Sequence, residues 1–154
     1  MTKTYFITGT DTDVGKTTCT IALLQAAAAM GIKAVAYKPI AAGCEIMEEG
    51  LCNQEVLFLQ KHSHVPLHYE DVVGYSFEPF SSPHIAAEES GITINFDVLS
   101  SGLNKLKQSA NADIIFVEGA GGWRVPIGNG HFLSDWVKYE NLPVIMVVGA
   151  RLGC

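Results

Sequence analysis

The stretch GTDTDVGKTT, from Gly9 to Thr18, decides the fold of this chain. It follows the apolar, β-prone run TYFIT and precedes CTIALLQAAAAMG, whose apolar spacing predicts a helix. The standard phosphate-binding loop is GxxxxGK[ST], in which glycines let the backbone wrap around phosphate groups. Five residues separate Gly9 from Gly15, one more than the standard, but GKTT is intact. A strand, this loop and a helix in succession predict nucleotide binding.

The start of the predicted helix supplies the chemistry. A helix N-terminus offers unpaired N–H groups and a positive dipole end, both of which attract phosphate. We predict that Lys16 reaches the β- and γ-phosphates and that the Thr17 hydroxyl is a ligand of Mg²⁺.

Composition limits the class of protein. The chain has 154 residues, with 48% hydrophobic and 17% charged residues, which predicts one globular domain over 1–154. The net charge of −6 argues against binding to nucleic acid or to an anionic membrane. Neither a secretory signal nor a membrane-spanning run is visible, so we expect a cytoplasmic protein. The four cysteines include no CxxC pair, which favours reduced thiols.

Apolar runs alternate with helical patterns, which predicts an α/β fold with a mainly parallel central sheet. Segment 71–77 is ambiguous, and the helix over 96–110 is expected to bury Val98, Leu99, Leu103 and Leu106. We expect Pro39 to end the second strand and the run PVIMVVG to be a buried strand. The expected strands cover 4–8, 33–37, 113–117 and 143–149, and the expected helices cover 16–30, 53–62, 82–90, 96–110 and 132–141.

Two further charged residues lie at the ends of predicted strands. Ligands of open parallel sheets bind beyond the carboxyl ends of the strands. Glu118 closes one strand and precedes the glycines 119, 121 and 122, where an acid that helps to hold the metal is expected. Lys38 follows another strand and brings a second cation, which suits transfer between two anionic groups.

Several motifs together resemble the dethiobiotin synthetase family. They are YFITGTDTDVGKT, AYKPIAAG, EEGLCNQEV, SPHIAA, VEGAGGW and LPVIMVVGARLGC, and they cover essentially the whole chain. The resemblance implies a P-loop NTPase-like, three-layer sandwich in a cytoplasmic homodimer. It also implies an ATP-dependent ligase that makes dethiobiotin from 7,8-diaminononanoate, CO₂ (or bicarbonate) and Mg·ATP, through a carbamate and a carbamic-phosphoric anhydride.

The same resemblance implies roles for individual residues. Lys16, Lys38 and Thr12 would be catalytic, and Thr17, Glu55 and Glu118 would hold Mg²⁺. The nucleotide would contact Asp13, Val14, Gly15, Lys16, Thr17, Thr18, Glu55, Glu118, Gly119, Ala120 and Gly121. The substrate would contact Thr12, Lys38, Ala42, Gly153 and Cys154, the last two from the neighbouring subunit.

The chain departs from the family pattern at a few places. The family usually carries aspartate at position 55, serine at position 42 and glutamate at position 13, where this chain has Glu55, Ala42 and Asp13. The family also continues beyond Cys154 with an adenine-recognition segment. We therefore expect the base-binding C-terminal part to be missing from this chain.

Two other functions fit the same residues. One is another P-loop amidoligase, of the cobyrinate-synthase type, that shares the phosphate chemistry but not the diamine. The other is a truncated or divergent paralogue that binds nucleotide without turnover.

Overall fold

The computed structural model describes residues 2–48 and 50–154 of the chain. The longer helices and strands follow the order that the sequence predicts, and several short strands and one short helix lie between them. The strands are β1 (Lys3–Gly9), β2 (Ala34–Ala41), β3 (Glu45–Met47), β4 (Gly50–Cys52), β5 (Val73–Ser76), β6 (Ile114–Glu118), β7 (Pro126–Gly128), β8 (His131–Phe132) and β9 (Val144–Val147). The helices are α1 (Lys16–Ala29), α2 (Gln54–His62), α3 (Tyr69–Val72), α4 (Pro83–Glu89), α5 (Phe96–Ser109) and α6 (Leu133–Tyr139).

Five parallel strands form the central sheet in the order β5-β2-β6-β1-β9. On one face, α1 and α2 bury Leu24 and Leu59 in a core cluster. On the other face, α5 and α6 bury Leu103 and Trp136 in a second cluster. Helices on both faces of a parallel sheet make a three-layer sandwich, which confirms the predicted fold class.

The sheet order brings the ends of three strands together. β6 lies between β1 and β2, with Ile7 opposite Glu118 on one side and Tyr37 opposite Val117 on the other. Lys38 follows Tyr37, so it lies at the level where β6 ends in Glu118. The loop after β1 opens at the same edge of the sheet.

The expectation that Pro39 ends the second strand is wrong. β2 continues through Pro39 to Ala41. Because β6 ends at Glu118, this last part of β2 pairs only with β5, through Ile40 opposite Tyr75. Proline is tolerated where one side of a strand has no partner. Lys38 therefore lies inside a strand and not after one.

Two other expectations need correction. The strand β9 is not buried: Val144 and Met146 are 43% and 49% exposed. Within residues 2–48 and 50–154, β9 pairs only with β1 and forms an edge of the sheet. In α5, Val98 is exposed and is not part of the hydrophobic core. Leu99, Leu103 and Leu106 are buried as expected.

Three regions were left open or missed at the level of sequence. The ambiguous segment 71–77 contains the end of α3 and then β5. The hairpins β3–β4 and β7–β8 have strands of two or three residues, too short to produce a recognisable alternation.

All four cysteines are free thiols. Among the helices of the described ranges, none combines the length and the apolar character that crossing a bilayer requires.

Candidate active site

The loop between β1 and α1 is tightly wound. A Cβ atom on Gly9 would lie 2.7 Å from Val14 Cγ2, so a larger residue would require the loop or the Val14 side chain to shift. Gly15, directly before α1, has a φ of 99°, in the left-handed region that glycine adopts without strain. Within the described part of the chain, no side chain caps α1. Its first N–H groups are therefore left for a ligand.

Glu118 is the centre of the polar network at the strand ends. Its side chain is fully buried, with 0% exposed. One carboxylate oxygen, Oε1, accepts from the Thr17 hydroxyl at 2.8 Å and from the Lys38 ammonium at 2.9 Å. The other, Oε2, accepts from the Thr20 hydroxyl at 2.7 Å. A buried carboxylate needs such partners, because a charge that is removed from water without them is very costly.

Lys38 lies between two carboxylates. Its Nζ is 2.5 Å from Glu55 Oε2 and 2.9 Å from Glu118 Oε1, and the residue is only 4% exposed. Burial alone would lower the pKa of Lys38, but the charges of Glu118 and Glu55 outweigh burial, and the pKa is raised. Lys38 is therefore fully protonated at neutral pH.

Glu55 is held in place by the start of α2. The side-chain oxygen of Asn53 accepts from the backbone N–H of Glu55 at 2.9 Å, and its amide donates to the Ala42 carbonyl at 3.0 Å. The Glu55 side chain is half-exposed, at 49%. Although partial burial acts to raise the pKa of Glu55, the neighbouring Lys38 dominates and lowers it.

Lys16 crosses the loop that precedes it. Its Nζ donates to the backbone carbonyl of Asp11 at 2.8 Å, and the residue is 8% exposed. Burial and the nearby Lys38 ammonium lower the pKa of Lys16, and the carboxylates around it only partly oppose this. An anion that binds beside Lys16 would raise its pKa again and so offset both the burial and the repulsion from Lys38.

The side chains of Lys16, Lys38 and Glu55 border a cleft of about 850 Å³. Six predicted residues line it from the loop and α1: Thr12, Asp13, Gly15, Lys16, Thr17 and Thr18. Five more line it from the other elements: Lys38, Ala42, Glu55, Ala120 and Gly121. The fold thus gathers at one cleft residues that lie more than a hundred positions apart in the sequence.

The remaining predicted residues do not line the cleft. Glu118 lies beneath Thr17 and Lys38, Val14 packs against Gly9, and Gly119 lies against the ring of Phe6. Gly153 and Cys154 are outside it, where the Cys154 thiol is 3.3 Å from the Thr10 hydroxyl. Their role toward a neighbouring subunit stays a prediction.

Some residues of the site were not expected from the sequence. Thr20 donates to the Glu118 carboxylate, and Asn53 accepts from the backbone N–H of Glu55 at the start of α2. Phe80 and Arg124 form part of the cleft wall. Asn before a helical pattern is an N-cap signal that would have identified Asn53. Thr20 has no such signal, because its importance depends on the packing of α1 against β6.

The donor atoms near Lys38 fit Mg²⁺. The Thr17 hydroxyl and the carboxylates of Glu55 and Glu118 are oxygen ligands, which Mg²⁺ prefers. The described residues contain no group of three or more His, Cys, Asp or Glu side chains that could hold a metal ion by themselves. Two carboxylates and a hydroxyl suit a metal that is shared with the phosphates of a nucleotide.

Fold and site together define the class of protein. A parallel sheet with helices on both faces, and a GKTT loop between its first strand and first helix, make a P-loop NTPase-like domain. In agreement, the chain matches the family described as AAA domain over residues 3–154.

The chain belongs to the dethiobiotin synthetase family. It is 79% identical to the ATP-dependent dethiobiotin synthetase BioD of Tolumonas auensis, over the whole of this chain and 68% of that protein. It is 53% identical to the BioD of Photobacterium profundum, over the whole chain and 69% of the relative. With BioD 1 of Escherichia coli O157:H7 the identity is 50%, over the whole chain and 68% of the relative. The similarity lies in the N-terminal part of these proteins.

Proposed function

We propose that the protein catalyses the ATP-dependent closure of the ureido ring of dethiobiotin from 7,8-diaminononanoate and CO₂. The observation that carries the proposal is that Lys16 and Lys38 line one cleft at the start of α1, while the buried Glu118 beneath it accepts from Lys38 and Thr17. The 79% identity to a dethiobiotin synthetase supports the choice of reaction within the P-loop class.

The proposed reaction has three steps. One amine of the substrate attacks CO₂, forms an N–C bond and loses a proton, which gives a carbamate. A carbamate oxygen then attacks the γ-phosphorus, and the bond from that phosphorus to the β-phosphate oxygen breaks, which releases ADP. The second amine attacks the carbamate carbon, closes the ring and releases phosphate together with a proton.

The residues of the cleft would act by position and charge. The α1 amides and Lys16 would bind the phosphates, while Lys38 would offset the repulsion between the carbamate and the γ-phosphate. Thr12 would orient the substrate from the loop. Thr17, Glu55 and Glu118 would hold Mg²⁺, which supplies positive charge to the β- and γ-phosphate oxygens.

The proposal is tested by ADP release measured with and without the two co-substrates. We expect release that requires both 7,8-diaminononanoate and bicarbonate, and a loss of at least about a hundredfold in Lys38→Gln. Lys33→Gln, which changes an exposed lysine in the turn before β2, is the matched control and should keep full activity.

The outcomes separate the three candidate functions. Nucleotide binding without release would favour the non-catalytic paralogue. Release that requires an amide-nitrogen donor and a carboxylate acceptor, and not the diamine, would favour a cobyrinate-type amidoligase. Full turnover in Lys38→Gln would contradict the role given to Lys38.

The resemblance also implies a cytoplasmic homodimer, which we include in the proposal. The exposed apolar side chains of Val144, Met146 and Val148 along β9 and its continuation are compatible with further packing. Sedimentation velocity at several protein concentrations tests the dimer, and a monomer throughout would contradict it.

A further inference from the structure

The ammonium of Lys38 is bonded to the same carboxylates that fit a metal ion. Glu118 Oε1 accepts from both Lys38 and Thr17, and Glu55 Oε2 accepts from Lys38. Both proposed metal-binding carboxylates therefore contact one lysine, and the third proposed ligand, the Thr17 hydroxyl, donates to the oxygen that Lys38 also uses.

This arrangement satisfies the carboxylates without a metal. Glu118 is 0% exposed and Lys38 is 4% exposed, so little water screens their charges. A buried carboxylate requires a cation nearby, and here the ammonium provides it. A divalent cation at the same oxygens would face the positive charge of Lys38 at close range. The ammonium and the metal thus compete for one set of oxygen atoms.

Lys16 is near these carboxylates but does not bond to them. Its Nζ donates to the backbone carbonyl of Asp11 and makes no ion pair with Glu55 or Glu118 in the described residues. Phosphate groups at the start of α1 would attract both lysines. An anion is therefore what can draw the Lys38 ammonium away from the carboxylates and leave them free for the metal.

We propose that Lys38 is the counter-ion of the metal-binding carboxylates in the nucleotide-free protein and excludes free divalent cations from them. The metal then enters with the nucleotide phosphates, and Lys38 moves toward the phosphate and the anionic co-substrate. The exclusion of free metal does not depend on the proposed function, because it needs no nucleotide. Only the entry of the metal with the nucleotide, and the movement of Lys38 that goes with it, rest on that function.

Binding of Mn²⁺ without nucleotide, followed by electron paramagnetic resonance, tests the exclusion. Wild type is expected to bind Mn²⁺ at this site at least about tenfold more weakly than Lys38→Gln, which leaves two carboxylates without their cation. Lys33→Gln, the matched control at an exposed lysine outside the cleft, is expected to behave as wild type. The double variant Lys38→Gln, Glu118→Gln should lose the gained site. Equal binding by wild type and folded Lys38→Gln would overturn the proposal.

A measurement on the wild type covers the case in which Lys38→Gln does not fold. The NMR signal of the Lys38 Cε group is expected to shift on addition of Mg·ADP and to stay unchanged with Mg²⁺ alone at the same concentration. A shift with Mg²⁺ alone would overturn the proposal. If the diamine-dependent reaction is absent but Mn²⁺ binds only to Lys38→Gln, the proposed ring-closure function is wrong. The exclusion of free divalent cations by Lys38 is then still supported.

Discussion

At the scale of single residues, Glu118 organises the site from a position that no solvent reaches. Two hydroxyls and one ammonium donate to its two oxygens, and they come from α1 and β2. Hydrogen bonds to a buried charge are worth more than those between neutral groups, and losing one leaves a costly unpaired oxygen. The direction in which Glu118 points therefore depends on each of these donors.

The hydroxyl of Thr20 allows a test of this dependence. It lies 2.7 Å from Glu118 Oε2 and 2.9 Å from the Lys16 backbone carbonyl. Thr20→Val keeps the side-chain volume but removes this donor, and it should lower the free energy of unfolding by about 2 kcal/mol. Thr18→Val, at an exposed position of the same helix, controls for helix propensity. Urea unfolding measures both. Thr20→Ser should recover most of the lost stability, because it keeps the hydroxyl. Equal small effects of the valine substitutions at positions 18 and 20 would mean that the hydrogen bond adds no stability.

Predictability from the sequence differs among these residues. Lys16, Lys38 and Glu118 could be found because each was expected near the carboxyl end of a strand, where ligands of parallel sheets bind. Their contact with one another depends on β6 lying between β1 and β2, which the order of elements along the chain does not reveal. Thr20 could not be found, since its contact with Glu118 depends on how α1 is rotated against the sheet.

At the scale of elements, β2 and α2 bring Lys38 and Glu55 together. β2 extends past the end of β6, and the Asn53 cap starts α2 beside it. From the sequence alone, Pro39 predicts that β2 ends before it, because proline cannot donate to a strand ladder. It is tolerated here because β6 has already ended, a consequence of the sheet register that no local pattern contains.

The Asn53 cap is expected to affect both stability and the site. Asn53→Ala removes the acceptor for the Glu55 N–H and should cost about 1 kcal/mol, because helix N-caps are worth that much. Asn53→Ser keeps a capping oxygen and should retain most of the stability. Thermal unfolding of the two variants checks the difference, and indistinguishable melting temperatures would contradict the capping role.

A second contact between elements gives stability that depends on pH. Asp71 in α3 pairs with Lys105 in α5 at 2.8 Å and also accepts from the backbone N–H of His68. The hydrogen bond from Lys105 is the main cause that lowers the pKa of Asp71. A carboxyl whose pKa is lowered by folding adds stability above its unfolded pKa and loses it as the pH falls through the folded value.

Asp71→Asn should therefore destabilise the protein by about 1 kcal/mol at pH 7, a modest amount because the Lys105 side chain is largely exposed. The difference from wild type should shrink as the pH falls below about 4, where the wild-type carboxyl also becomes protonated. Urea unfolding between pH 3 and pH 7 measures it, with Glu88→Gln as an exposed control. A difference that does not vary with pH would contradict this interpretation.

At the scale of the whole molecule, the order of strands creates the cleft. Placing β6 between β1 and β2 collects the loop after β1, Lys38 and Glu118 at one edge. The α/β class and the parallel sheet were predictable because long apolar runs alternate with helical patterns. The exposure of β9 was not predictable, because the apolar run PVIMVVG does not reveal whether its strand is central or at an edge of the sheet.

The start of α1, Lys16 and Lys38 line the same cleft, and we propose that they form one site for the phosphates of a nucleotide. Isothermal titration calorimetry with Mg²⁺ and a non-hydrolysable ATP analogue tests it most directly. We expect one site per chain, weakened at least about tenfold in Lys16→Gln, because a charge-assisted hydrogen bond to phosphate is lost, and unchanged in Lys33→Gln. No binding by wild type, or equal affinity in Lys16→Gln, would contradict the claim.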